Sequence, residues 1–223
     1  MTAKPLSRDR IVDAAIALLD EDGEAGLTFR ALAANLATGA GAIYWHVASK
    51  QELLLAASDA VVTRALDAVR GSTKPREAIR RLAAGVYDAI DAHPWVGPQL
   101  VRAPWAQATL KIFERVGRQL PALGVARAAH FTAASALLGH IVGVSVQSSA
   151  NGHAFDLPMT RAELLESEAA RWQQLDAAEF PFLRSVATEL RVHDDRAEYL
   201  AGVDLIVAGV TTGAARGAAR TRP

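Results

Sequence analysis

The chain has no cysteine, which excludes disulfides, thiolate nucleophiles and cysteine-based zinc sites and permits a reducing cytoplasm. It has no net charge either: 24 Lys and Arg face 24 Asp and Glu, so the overall basic excess common in phosphate-binding proteins is missing. No strand pattern of any length occurs. The opening MTAKPLSRDR lacks the apolar core of a signal peptide, so nothing there directs export and a cytoplasmic location is expected. Histidines at 46, 93, 130, 140, 153 and 193 form no His-x-x-x-His or Glu-flanked pair, and neither a metal nor a cofactor is expected. Gly143-Val144-Ser145-Val146-Gln147 starts like a nucleophile elbow but lacks its last glycine and a preceding strand. Gly39-Ala40-Gly41 lacks the third glycine and the βαβ frame of a nucleotide loop. No catalytic residue is expected.

What is present is 223 residues, 51% of them hydrophobic, enough for a sizeable core in one large domain or two small ones. The most informative stretch runs from Thr28 to Lys50. Thr28 is a good N-cap, and Ala31, Leu32 and Leu36 recur at helical spacing to give a short scaffold helix. Ala37-Thr38-Gly39 breaks the pattern, with Gly39 expected to supply the backbone freedom of the turn. A second helix from Ala40 to His46 turns Ile43 inward, with Val47 just after it, and carries Tyr44, Trp45 and His46 outward. Ser49 and Glu52 have the spacing of a capping box, so a third helix starts there, with Lys50 at its tip.

This segment resembles the helix-turn-helix of the TetR family of one-component transcriptional regulators, most of all its tetracycline-repressor branch. The Gly-x-Ile-Tyr-x-His-Val-x-x-Lys order carries the resemblance, which is dense over about residues 8 to 60. His93-Pro94-Trp95 and the run from Glu198 to Val210 resemble the C-terminal domain of that branch. The resemblance implies an all-α protein: a three-helix DNA-binding domain over residues 1–50 and a larger helical effector-binding and dimerisation domain over 51–223. Its partners would be a double-stranded DNA operator, a second copy of the chain and a small-molecule effector, with no membrane. Residues 1–50 sum to −1, but their acids cluster at the end of the first helix, while Arg30 and Lys50 flank the reading helix. Tyr44, His46 and Lys50 are expected on phosphates, which fix orientation. Arg30 and the small Ala40, Gly41 and Ala42 are expected at base edges, with Thr28 and Trp45 beside them. The alternative for the three rings is packing at the head's own helix seams. Arg8 is a further candidate for a phosphate.

Along the rest of the chain, Ser7 caps a first helix that Gly23 ends. A connecting helix runs from Ser49 to about Arg70, and Pro75 opens another to Ala92. His93-Pro94-Trp95 and Gly97-Pro98 impose a turn, and a helix follows from Pro104 to Leu120. Residues 128 to 155 carry no charge, yet their His, Gln and Ser content argues against a membrane span. They predict a helix buried on nearly all sides, with Gly139 and Gly143 permitting close approach at a dimer interface, and a break at Asn151-Gly152 and Pro158. Residues 160 to 176 form a surface helix or lid carrying Trp172. A last helix through Tyr199, Val203, Ile206 and Val210 completes a four-helix interface in the dimer, and Arg216, Arg220 and Arg222 form a disordered basic tail.

An apolar effector pocket is expected between the long helices, touched by Val86, Trp95, Trp105, Phe113, His140 and Gln147, to suit a hydrophobic or aromatic molecule. Leu66, Leu82 and Val86 stand where the branch has polar drug contacts, and Gln99, Leu100 and Val101 stand around its metal-binding turn. Magnesium–tetracycline binding is therefore not expected. A competing reading is an all-α small-molecule binder or enzyme without DNA binding, whose affinity for DNA would show no steep salt dependence.

Overall fold

The computed structural model describes residues 5–69, 71, 74–154 and 159–220, with side chains at 151–154 and 213–220 excepted. The described elements are helical: α1 (Arg8–Gly26), α2 (Phe29–Asn35), α3 (Ala40–Tyr44), α4 (Lys50–Ala68), α5 (Pro75–Ala92) and α6 (Val96–Arg102). They continue with α7 (Gln107–Gly117), α8 (His130–Ala154), α9 (Arg161–Gln174), α10 (Pro181–Ser185), α11 (Ala187–Leu190) and α12 (Asp195–Arg220).

The head is α1 to α3 closed by the start of α4. Ser7 caps α1 by accepting from the Arg10 amide, and Gly23 takes φ 66°, the left-handed conformation that breaks the helix near its end. Ile11, Ala15, Leu19, Leu32, Ile43, Val47 and Leu53 form one buried core, the helical-period stripes of four helices meeting. The turn after α2 departs from expectation. Its left-handed residue is Ala37 at φ 50°, whereas Gly39 is an extended N-cap at φ −82°. A Cβ at Gly39 would meet nothing within 4 Å, so glycine there leaves the surface bare rather than relieving the turn.

The body is a bundle in which α5, α8 and α12 pack mutually, and α4 and α7 close it on the side of the head. Leu66, Ile79, Val86, Ile90, Ile112, Leu137, Ile141 and Val203 are all at or near zero exposure. Several boundaries differ from expectation: α3 stops at Tyr44 rather than His46, and α7 at Gly117 rather than Leu120. The segment from Val96 to Arg102 is a helix and not a turn, because Pro98 falls in its first turn, where a missing N–H costs nothing. Helix α7 starts at Gln107, three residues after Pro104. Helix α8 runs through Asn151 and Gly152 without a break, whereas Pro158, Arg70, Ser72, Thr73 and Arg222 lie outside the described residues. Backbone helix also extends through Arg216 and Arg220, where a disordered tail was expected.

Helix α8 is the one described helix long and apolar enough to cross a bilayer. It packs instead on α5, α6, α7 and α12, and it is not buried on all sides. Leu137, Ile141 and Ser145 are covered, while Ala136, Gly139, Gly143 and Gln147 form an exposed stripe of small and polar residues. Helix α12 matches it with Ala201, Leu205 (75% exposed) and Gly209.

Candidate nucleic-acid interface

Helix α3 sits at the surface of the head, anchored by Ile43 within it and by Val47 just after it, both fully inside. Everything between and before those anchors is left outward by helical geometry. Ala40 and Gly41 are exposed and Ala42 is half-buried, and a Cβ at Gly41 would meet nothing within 4 Å. The tip of the helix is therefore low and open, the shape a base edge can approach.

The three rings behave differently. Tyr44 is 53% exposed, and its ring stacks on Phe29 at 4.3 Å with planes 11° apart, which fixes where its hydroxyl points. Part of the seam-packing alternative thus holds for Tyr44. Trp45 is 91% exposed and meets no other ring among the described residues, so the same alternative does not account for it. His46 is half-buried and offers its carbonyl to Arg8, whose Nη1 donates at 2.8 Å.

Around α3 the cations divide into used and unused. Arg30 is exposed on α2, and no hydrogen bond or ion pair takes up its guanidinium among the described groups. Arg8 is occupied as a brace, since Nη2 also pairs with Glu52 at 2.9 Å. Glu52 in turn accepts from the Ala48 amide at 2.9 Å, while its own amide donates to Ser49 Oγ at 3.1 Å. This is a capping box shifted by one residue, because its return bond reaches Ala48 rather than Ser49. The Ala48 bond first, then Arg8, holds the Glu52 carboxyl below its ordinary pKa. Thr28 is engaged as the cap of α2, accepting from the Ala31 amide at 3.1 Å. Lys50 is half-buried, its ammonium donating to the Glu24 carbonyl at 2.5 Å rather than standing free.

That last bond belongs to a clamp that sequence reasoning missed. At the end of α1, Asp20 Oδ1 accepts from Trp95 Nε1 at 2.7 Å and lies 2.7 Å from His93 Nδ1. One turn on, Glu24 Oε2 accepts from Arg102 at 3.1 Å and Gln99 at 3.2 Å. Two carboxylates of the head are thus held by the α5–α6 turn and α6 of the body. A cluster of acids at a helix C-terminus opposes the helix dipole, and that was the available signal that external donors were needed.

The six residues expected to share an effector pocket are not brought together. Val86 is fully buried core, and Trp95 is 8% exposed and committed to Asp20. Trp105 is 81% exposed at the surface between α6 and α7, because α6 and its proline-led exit carry it outward. Phe113 packs edge-on to Phe131 at 5.9 Å. Only His140 and Gln147 meet, in a cavity of about 310 Å³ that also touches Ser148, His193, Glu198 and Tyr199. His140 lies flat on Tyr199, with ring planes 8° apart and Nε2 2.9 Å from the Tyr199 carbonyl oxygen. Gly202 makes this possible, since a Cβ there would fall 2.4 Å from the imidazole. Among the described residues no group of His, Asp and Glu has the arrangement of a metal site.

Comparison with known proteins follows the same division. Residues 11–57 match the bacterial regulatory proteins of the tetR family, and residues 71–213 match the tetracyclin repressor-like C-terminal domain. An HTH-type transcriptional regulator of Saccharopolyspora erythraea is 32% identical over 213 residues, 93% of this chain and 86% of the relative. The class D tetracycline repressor of Escherichia coli is 42% identical over 59 residues, 26% of this chain and 27% of that one. Among solved structures, the TetR regulator SCO7222 of Streptomyces coelicolor is 49% identical with a TM-score of 0.84, covering 93% of this chain and 99% of that chain. ActR of the same organism, solved in complex with actinorhodin, shares the fold at 24% identity and a TM-score of 0.75, covering 95% and 99%. The matches span both the reading head and the helical body, and the chain belongs to the TetR family of DNA-binding transcriptional regulators.

Proposed function

We propose that the protein is a homodimeric cytoplasmic repressor that holds two copies of α3 in successive major grooves of a palindromic operator, about 34–36 Å apart, and leaves the DNA when a small molecule binds its body. The division of labour falls near residue 50, with the head reading DNA and the remainder pairing the chains and sensing the effector. The observation that carries the DNA reading is Trp45, 91% exposed at the end of α3 between the buried Ile43 and Val47. That indole adjoins the open tip of α3, where Ala40 and Gly41 are exposed, so it is available to a partner that approaches there.

Tyr44, His46 and Lys50 then lie where phosphates pass, and Arg30 with Ala40, Gly41 and Ala42 faces the bases. Lys50 reaches a phosphate by giving up the Glu24 carbonyl, so DNA and the clamp compete for one ammonium. The exposed stripes of α8 and α12 supply the pairing surface: small residues let two helices from each chain approach, and Leu205 fills between them. The cavity at His140 and Gln147 opens beside that surface, so an occupant there favours one spacing of the heads over another. A linkage of this kind is typically worth about 1–3 kcal/mol.

The test is selection of binding sites from random duplex DNA at two salt concentrations, with a Tyr44→Ala, Lys50→Ala double variant in parallel. A palindromic site enriched by the wild type, lost at high salt and lost by a variant that stays folded and dimeric is the expected result. Equal, weak and salt-insensitive binding by both proteins refutes the reading.

A further inference from the structure

The His140 cavity does not end at His193 and Asp195. The same two residues line a second cavity of about 510 Å³ beneath α9, so the two spaces adjoin at that pair, and a molecule reaching past it would occupy both as two lobes of one groove. The outer lobe is walled by Leu164, Leu165, Trp172 and Leu190, all half-buried on the underside of α9 and α11. The inner lobe places Gln147, Ser148 and Glu198 among its lining residues.

Helix α9 touches the rest of the chain sparingly. It packs on α10 and α11, and it is tied across the groove by Arg161 to Asp195 at 2.7 Å and by Arg191 to Glu166 at 3.0 Å. These two ties add little, since each exposed pair contributes only about 0–1 kcal/mol.

Charge in the groove has one sign left over. Arg161 and His193 both turn to Asp195, and Glu168 pairs outside with Arg171 at 2.6 Å. The Glu198 carboxylate has no ion pair or side-chain hydrogen bond among the described residues, yet it stands at the inner lobe beside Asp195. An apolar outer lobe with an indole, and an inner end with an unneutralised carboxylate, is complementary to one kind of molecule.

We infer that this groove is a binding site for an amphipathic organic cation, its aromatic body in the outer lobe against Trp172 and its protonated amine at Glu198. The inference deepens the effector reading above and rests on it for the consequence to DNA, but not for the binding itself. A combined space of this size fits a molecule of ordinary effector dimensions. The indole contributes apolar area and a face on which the aromatic body can stack.

The test uses two probes of nearly equal size and opposite charge, 1-naphthylmethylammonium and 1-naphthylacetate, titrated into the full-length protein without DNA and followed by calorimetry. The cation is expected to bind about tenfold more tightly than the anion. Glu198→Gln should remove most of that preference, and Trp172→Leu should weaken both probes about fivefold or more. Glu189→Gln on exposed α11, outside the groove, should change neither. Equal binding of the two probes, no binding of either, or a preference untouched by Glu198→Gln would each overturn the site. A separate titration of the operator complex keeps the two readings apart. Cation binding without DNA release leaves the site standing and removes its effector role, and release by compounds that ignore both variants removes the site and leaves the regulator.

Discussion

Asp20 of the head and Trp95 of the body are joined by a 2.7 Å hydrogen bond from the indole to the carboxylate. Trp95 is otherwise buried, so the bond ties the end of α1 to the point where the chain turns into α6. Helix α6 in turn lies against α8 so closely that a Cβ on Gly97 would come within 2.9 Å of Val146 Cγ2. Val146 stands on α8 between Val144 and Ser148, which line the inner cavity, so α8 and α6 connect that cavity to the end of α1.

Trp95→Phe tests this route. A smaller phenyl ring replaces the indole and the donor is lost, leaving His93 as the remaining partner of Asp20. Because Asp20 is partly exposed, the lost hydrogen bond costs only about 1 kcal/mol, and the smaller buried ring adds to it, seen as a lower urea midpoint with an unchanged slope. Affinity for the operator should change less than its response to effector does. A variant that releases DNA as readily as wild type would show that coupling runs elsewhere.

Acid should loosen the head through Glu52. Its carboxyl is held below its ordinary pKa by the Ala48 amide and Arg8. A depressed folded pKa means stability that is fully present above the unfolded value of about 4.5 and is lost as pH falls through the folded one. Urea unfolding followed downward from pH 6 should show this loss, and Glu52→Gln should be less stable at pH 6 and flatter below it. Parallel profiles for the two proteins would show that Glu52 does not contribute.

Much of this architecture is legible in the sequence because it obeys local rules. Ser7, Thr28 and Ser49 each cap the helix they precede, and Pro75 opens the next. Ile43 and Val47 are inward and Trp45 outward by period alone. Helix α6 was missed because Gly97-Pro98 carries the same signal in a turn and in a first helical turn, and only packing on α8 decides. The clamp was missed because Asp20 and Trp95 are 75 residues apart, beyond any spacing rule. The grouping of Trp105 and Phe113 with His140 failed for a similar reason. Apolar type says that a side chain wants cover, not which cavity supplies it, and Trp105 ends 81% exposed.

Pairing of the chains should depend on Leu205, which is 75% exposed in the single protomer. Leu205→Glu places a charge on the α8–α12 surface of both copies. Burying a leucine is worth about 1.5–3 kcal/mol, and two-fold symmetry counts the loss twice. Sedimentation at micromolar concentration should show a shift to monomer with helix content retained. Operator affinity should fall with it, because one head alone spans one half-site. A variant that remains dimeric would move the interface off this face.

Arg30 and Lys50 should fail in different ways. Arg30 is exposed and uncommitted, so Arg30→Ala should leave stability within about 0.5 kcal/mol of wild type. If it reads a base, the variant loses about 1–3 kcal/mol on the selected operator and tolerates changes at one position of each half-site. Lys50 already donates to the Glu24 carbonyl, so Lys50→Ala should cost stability as well as affinity. Its loss on DNA should be uniform across sequences, and the slope of log affinity against log salt should shrink by about one per head. Measured side by side on the operator and on scrambled duplex, the two variants separate base reading from phosphate holding. Sequence-independent loss in Arg30→Ala would assign that arginine to the backbone instead.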